Sequence, residues 1–185
     1  MRGLAAGMAA LSVLALARAA LGGDGADGGA PFGLAWGPIP TVPKPALVDR
    51  EANLTALHYP RGRGPAVGAG TAEVVLVVCR EEGLQEVVWI GLPLSGEALD
   101  RARRAIHDEG VRRYGEPDAG GTPDSETWPG GRALLASRRA ADGGRALVMT
   151  AFGPGFGTCS GTHRAETGHP AGAHVADLID AGDPR

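Results

Sequence analysis

Several residue types that commonly carry function are scarce in this 185-residue chain. It has two cysteines, Cys79 and Cys159, and one lysine, Lys44; all the other basic residues are arginine. With 18 basic and 21 acidic residues, the formal charge of -3 offers no electrostatic footprint for nucleic acid. Glycine is frequent, at 31 residues, but follows no period, so collagen-like and solenoid architectures are excluded. Aromatic residues are only 4% of the chain, so the few present are expected to dominate packing.

The only long apolar run lies at the N-terminus. Arg2, the stretch LAAGMAALSVLALA and the A-x-A sequence Ala17-Arg18-Ala19 make a secretory signal over residues 1–19, too short to span a bilayer comfortably. Its removal takes Arg2 and Arg18 and moves the formal charge from -3 to -5. No stable membrane anchor is expected after cleavage, and the implied localisation is periplasmic or secreted. A Gly/Asp-rich linker over residues 20–30 has nothing to bury.

Residues 31–160 read as one α+β domain: an antiparallel β-sheet of hairpins packed against one long α-helix. EVVLVVCR and LQEVVWIG, separated by EEG, form a hairpin whose first strand is apolar on both faces, as a central strand would be. NLTALHY and SETW are shorter strands, and RALLASRR and RALVMTAF flank a turn at Asp142-Gly143. PIPTVPKP has four prolines in eight residues, which excludes helix and central strand. Between the two hairpins a helix runs from a cap at Ser95 to Tyr114, with Gly115 and Pro117 ending it. Its apolar stripe includes Ile106, and its acid-to-arginine pairs at i,i+4 make a solvated face. From residue 161 to 185 a largely disordered tail is expected.

PFGLAWG, GLQEVVWI, RRYGEP and ETW occur in that order. The pattern resembles uncharacterised bacterial secreted or periplasmic small α+β proteins with an F-G-L-x-W-G opening and a Y-G-x-P turn after the main helix. The likeness covers residues 31–152. It implies a single cell-envelope domain, with no activity to carry over, in which Phe32, Trp36, Leu84, Trp89, Tyr114 and Trp128 are packing residues. The chain departs from the pattern in the proline-rich segment, where a helix is common, and at Gly110, where a large apolar residue is the norm.

GFGTCSGTH, residues 155–163, raises the possibility of a nucleophile turn at Cys159 with His163 nearby. Such an elbow needs a strand leading in, a helix leading out and an alternating βα sheet, which the sequence does not predict. Gly153 to Gly157 lack the lysine of a phosphate loop. No catalytic residues, cofactor or metal are therefore assigned, although His163, His169 and His174 could gather a transition metal. In an exported chain the two cysteines read best as a disulfide, Cys79 with Cys159; free thiols and a reactive Cys159 are the alternatives. The resulting expectation is a non-enzymatic module that binds an envelope protein or small ligand, against a rival thiol-dependent enzyme or redox protein. N-terminal sequencing of the exported protein should begin at Ala20; retention of Met1 would contradict the signal assignment.

Overall fold

The computed structural model describes residues 29–39, 42–65, 70–122, 124–140 and 143–171. Among these residues it is an α+β protein with one seven-stranded antiparallel sheet and two α-helices. The strands are β1 (Leu47–Glu51), β2 (Leu54–Pro60), β3 (Thr71–Cys79), β4 (Gly83–Gly91), β5 (Ser125–Thr127), β6 (Ala133–Arg139) and β7 (Arg145–Phe152). Their order across the sheet is β1-β2-β3-β4-β7-β6-β5. Two antiparallel meanders thus meet along the β4–β7 seam, and the helix α1 (Gly96–Tyr114) connects them. The expected signal sequence, residues 1–19, and most of the expected linker lie outside the described residues.

The valine-rich runs become the central strands β3 and β4 because both faces of those strands are covered. Gly83, at a φ of 73°, makes the turn between them. A Cβ at Gly83 would fall 2.2 Å from the backbone of Gly37. That close approach lets Gly37 exchange hydrogen bonds with Leu84, at 3.1 and 2.6 Å, and draws the N-terminal FGLAWG segment onto the hairpin. A bulge follows: Val78 pairs with Leu84 and Val77 with Glu86, leaving Gln85 as the extra residue.

One face of the sheet carries Val74, Leu76, Val87, Trp89, Leu135, Leu147 and Met149, with Leu99, Ala102 and Ile106 of α1 packed against them. Leu84, Trp89, Tyr114 and Trp128 are buried; Phe32, Trp36 and Ile106 are half-buried against the same cluster. The opposite face gathers Val75, Val77, Cys79, Val88, Ile90 and Val148, with Phe156 and Cys159 of α2 (Phe156–Thr167). A sheet packed by a single helix is therefore an incomplete description. α2 occupies residues expected to be the domain's edge and a disordered tail, and the ordered fold reaches Ala171, which is buried. Residues 172–185 lie outside the described residues. At the other end the fold starts before Pro31: Ala30 is fully buried and its carbonyl accepts from Arg113 at 3.0 Å.

The unexpected Gly110 has a steric cause. Trp128, fully buried after β5, lays its indole against α1 at this position; a Cβ on Gly110 would stand 2.2 Å from Cζ2. Tyr114, one turn on, meets the same indole edge-on with ring centroids 6.5 Å apart. The large apolar group expected at residue 110 is thus supplied from another element. Gly110→Ala would gain about 1 kcal/mol of helix propensity but force a rigid, enclosed ring to move, at a cost of about 1–3 kcal/mol. We expect a net loss of up to roughly 2 kcal/mol in urea unfolding from those terms; an increased midpoint would refute the packing account.

Candidate functional site

Cys79 ends β3 and Cys159 lies in the first half of α2; they form a disulfide with Cα atoms 6.0 Å apart across a separation of 80 residues. By loop-closure entropy, such a bond contributes roughly 4 kcal/mol. Both cysteines are buried and neither is free. Cys159 is thus inside a helix and covalently engaged, not at a strand-to-helix elbow. Beside the bond sits Asn53, buried in the turn between β1 and β2, where Ala52 adopts a φ of 51°. Asn53 Nδ2 donates to the Cys159 carbonyl at 3.1 Å.

His163 follows Cys159 by four residues and so occupies the same face of α2. It is not a bystander in a disordered end: it is 1% exposed. Its Nδ1 lies 3.2 Å from Asn53 Oδ1. That oxygen can only accept, so Nδ1 carries the proton and Nε2 is left facing Glu51, the last residue of β1. Glu51 reaches two histidines, with Oε2 3.5 Å from His163 Nε2 and Oε1 3.3 Å from His169 Nε2. The two imidazoles stand nearly edge to face at 5.3 Å between centroids. Thr167 fixes the chain between them, donating to the His163 carbonyl at 2.8 Å and accepting from the His169 amide at 3.3 Å. His174 lies outside the described residues. The i,i+4 spacing of Cys159 and His163 was visible in the sequence, but Glu51 and Asn53, more than 100 residues earlier, carried no signal linking them to it.

Other polar groups are engaged locally. The amides of the glycine-rich loop do not form an anion cradle: Gly153 donates to the Gln85 carbonyl and Gly155 to Gln85 Oε1, both at 2.8 Å. His58 pairs with Glu73 at 2.8 Å. His107 and Arg103 of α1 both engage Glu126 of β5, at 2.6 and 2.9 Å. Burial works against ionisation of Glu126, but the hydrogen bonds from His107 and Arg103 outweigh it and hold its carboxyl below the ordinary range.

The α1 face contains a cleft of about 320 Å³ between the helix and the sheet, lined by Phe32, Thr71, Trp89, Ile106, Glu109 and Met149. Its two inner polar atoms satisfy each other, with Trp89 Nε1 donating to Thr71 Oγ1 at 2.9 Å. At the rim, Glu109 is neutralised by Arg112 and Arg113. Compared with family models, curated proteins and solved structures, the chain matches none.

On the opposite face Glu86 is buried, and its Oε2 has no partner among the described residues. Burial pushes its carboxyl up to about 7. In the unfolded chain the group ionises near pH 4.5, so below that pH it is protonated in both states and has no effect on stability. Between about pH 4.5 and 7 the unfolded state ionises first and stability falls; above 7 the loss is constant, on the order of 3 kcal/mol. Glu86→Gln should remove this component, so that the variant gains on the parent as pH rises from 4.5 to 7.5 in urea unfolding. A stability difference independent of pH would contradict the assignment.

Proposed function

We propose that this chain is an exported envelope protein, periplasmic or secreted, and a non-enzymatic module that binds a small apolar ligand in the cleft between α1 and the sheet. The cleft carries the reading. Its volume of about 320 Å³ is that of a site for a small ligand, and its inner lining is aromatic and aliphatic. Thr71 and Trp89 satisfy each other, and the arginines neutralise Glu109, so the lining presents no strong net charge to a guest. The sheet and the long helix across it provide two firm walls. The disulfide fits an oxidising compartment, and the signal sequence supplies the route there. The negative formal charge argues against nucleic acid as a partner.

The rival reading, a thiol-dependent enzyme or redox protein, requires Cys159 as an accessible thiolate. Cys159 is instead fully buried and bonded to Cys79, which favours binding over thiol chemistry.

Fluorescence titration with the neutral apolar probe N-phenyl-1-naphthylamine tests the cleft. Ala105 of α1 also lines the cleft and is exposed; saturable binding to the parent protein is expected, weakened at least tenfold by Ala105→Trp, which fills the cleft, while the circular dichroism spectrum stays unchanged. Absence of saturable binding, or equal binding by a folded Ala105→Trp variant, would overturn this function.

A further inference from the structure

The geometry points to a second, independent site: a divalent transition-metal site of the zinc class, formed by Glu51, His163 and His169 on the face of the sheet opposite the apolar cleft. One ligand atom from each of the three residues falls within 4.8 Å of the other two. Three observations carry the assignment.

The first is the tautomer of His163. With Nδ1–H committed to Asn53 Oδ1, a neutral ring turns the Nε2 lone pair towards the Glu51 carboxylate. Two electron-rich groups face each other, an arrangement that favours a cation between them. A second-residue acceptor that fixes the tautomer by binding the far ring nitrogen is also the usual support of a metal-bound histidine.

The second is the spacing. A charge-assisted hydrogen bond between imidazolium and carboxylate would close to about 2.7–2.9 Å. The two nitrogen–oxygen separations are 3.5 and 3.3 Å. Bonds of about 2.0–2.1 Å to a tetrahedral ion set neighbouring ligand atoms about 3.3–3.4 Å apart, so each carboxylate oxygen stands near a zinc coordination edge from the histidine it faces.

The third is the balance of rigidity and access. His163 is locked by Asn53, which also holds the Cys159 carbonyl, so the disulfide and this ligand share a support. Glu51 and His169 are only partly buried, with side-chain exposures of 35% and 44%. His169 Nδ1 has no partner among the described residues, so no hydrogen bond to that atom resists a small movement of the ring towards an ion. Two imidazoles and one carboxylate suit zinc and its neighbours better than calcium or magnesium, which prefer oxygen-only shells. Three protein ligands leave a further coordination position for water or a partner's side chain. Cys79, Cys159 and Glu82 also lie close together, but sulfurs joined in a disulfide are not thiolate ligands.

Titration of the intact, oxidised protein with zinc chloride by calorimetry tests the site. One ion per chain is expected, with affinity reduced at least tenfold by His169→Ala and by Glu51→Gln, neither of which removes a fully buried side chain. His174→Ala should bind as the parent does, and cobalt(II) should give the intense visible absorption of a tetrahedral site in the parent but not in His169→Ala. Absence of saturable heat, unchanged binding in His169→Ala and Glu51→Gln, or equal loss in His174→Ala would overturn the assignment. Ala105→Trp should leave zinc binding intact, so failure of the apolar cleft and failure of the metal site are separately visible.

Discussion

A twelve-residue helix containing Gly157 and Gly161 is a poor candidate for stability on its own account. Isolated helices of that length are marginal, and each interior glycine costs close to 1 kcal/mol relative to alanine. What holds α2 on the sheet is therefore tertiary. The Cys79–Cys159 bond anchors its first half, and Asn53 binds it at the Cys159 carbonyl and at His163. The arrangement of the whole α2 face follows from this fastening. It buries His163, brings the end of β1 under the helix terminus and covers Val75, Val77 and Val88. A covalent bond and one asparagine replace the broad apolar stripe that would otherwise be needed.

The other face is held by different means. Trp128 occupies the space vacated by the missing side chain of Gly110, and Tyr114 meets it edge-on. Arg132 lies over the Tyr114 ring at 5.8 Å and donates to its carbonyl at 3.0 Å. Only a few aromatic residues are available, and several of them are concentrated where α1 meets the second meander. The apolar cleft opens along the same helix, at Ala105, Ile106 and Glu109, immediately before this tightly packed end.

The parts of the fold legible in the sequence are those with a strong local cause. β3 with β4, and β6 with β7, are β-branched or apolar runs separated by glycine turns; α1 has a continuous charge pattern and a glycine stop. The disulfide was legible from the cysteine number together with the expectation of export. β1 was not, because LVDRE is a mostly exposed edge strand without alternation, directly after a proline-rich stretch. α2 was not, because its propensity is weak and its cause lies in β2, β3 and the turn at Asn53. Gly110 was visible as an oddity, but its partner, Trp128, belongs to another element. The cluster at Glu51 was hidden for a related reason: His163 and His169 are close in sequence, while the carboxylate that joins them comes from the far end of the chain.

The disulfide closes a covalent ring that contains β4, α1, β5, β6 and β7, with β1 and β2 outside it. The exposed connection after α1, around Asp118 to Gly121, lies within that ring. A protease that cuts there while the bond is intact produces a nick and no fragment: the two pieces remain joined through sulfur and along the β4–β7 seam. Cleavage would separate the halves only after reduction and loss of the sheet pairing. Against a protease acting in that connection, the bond thus protects integrity as well as folding stability.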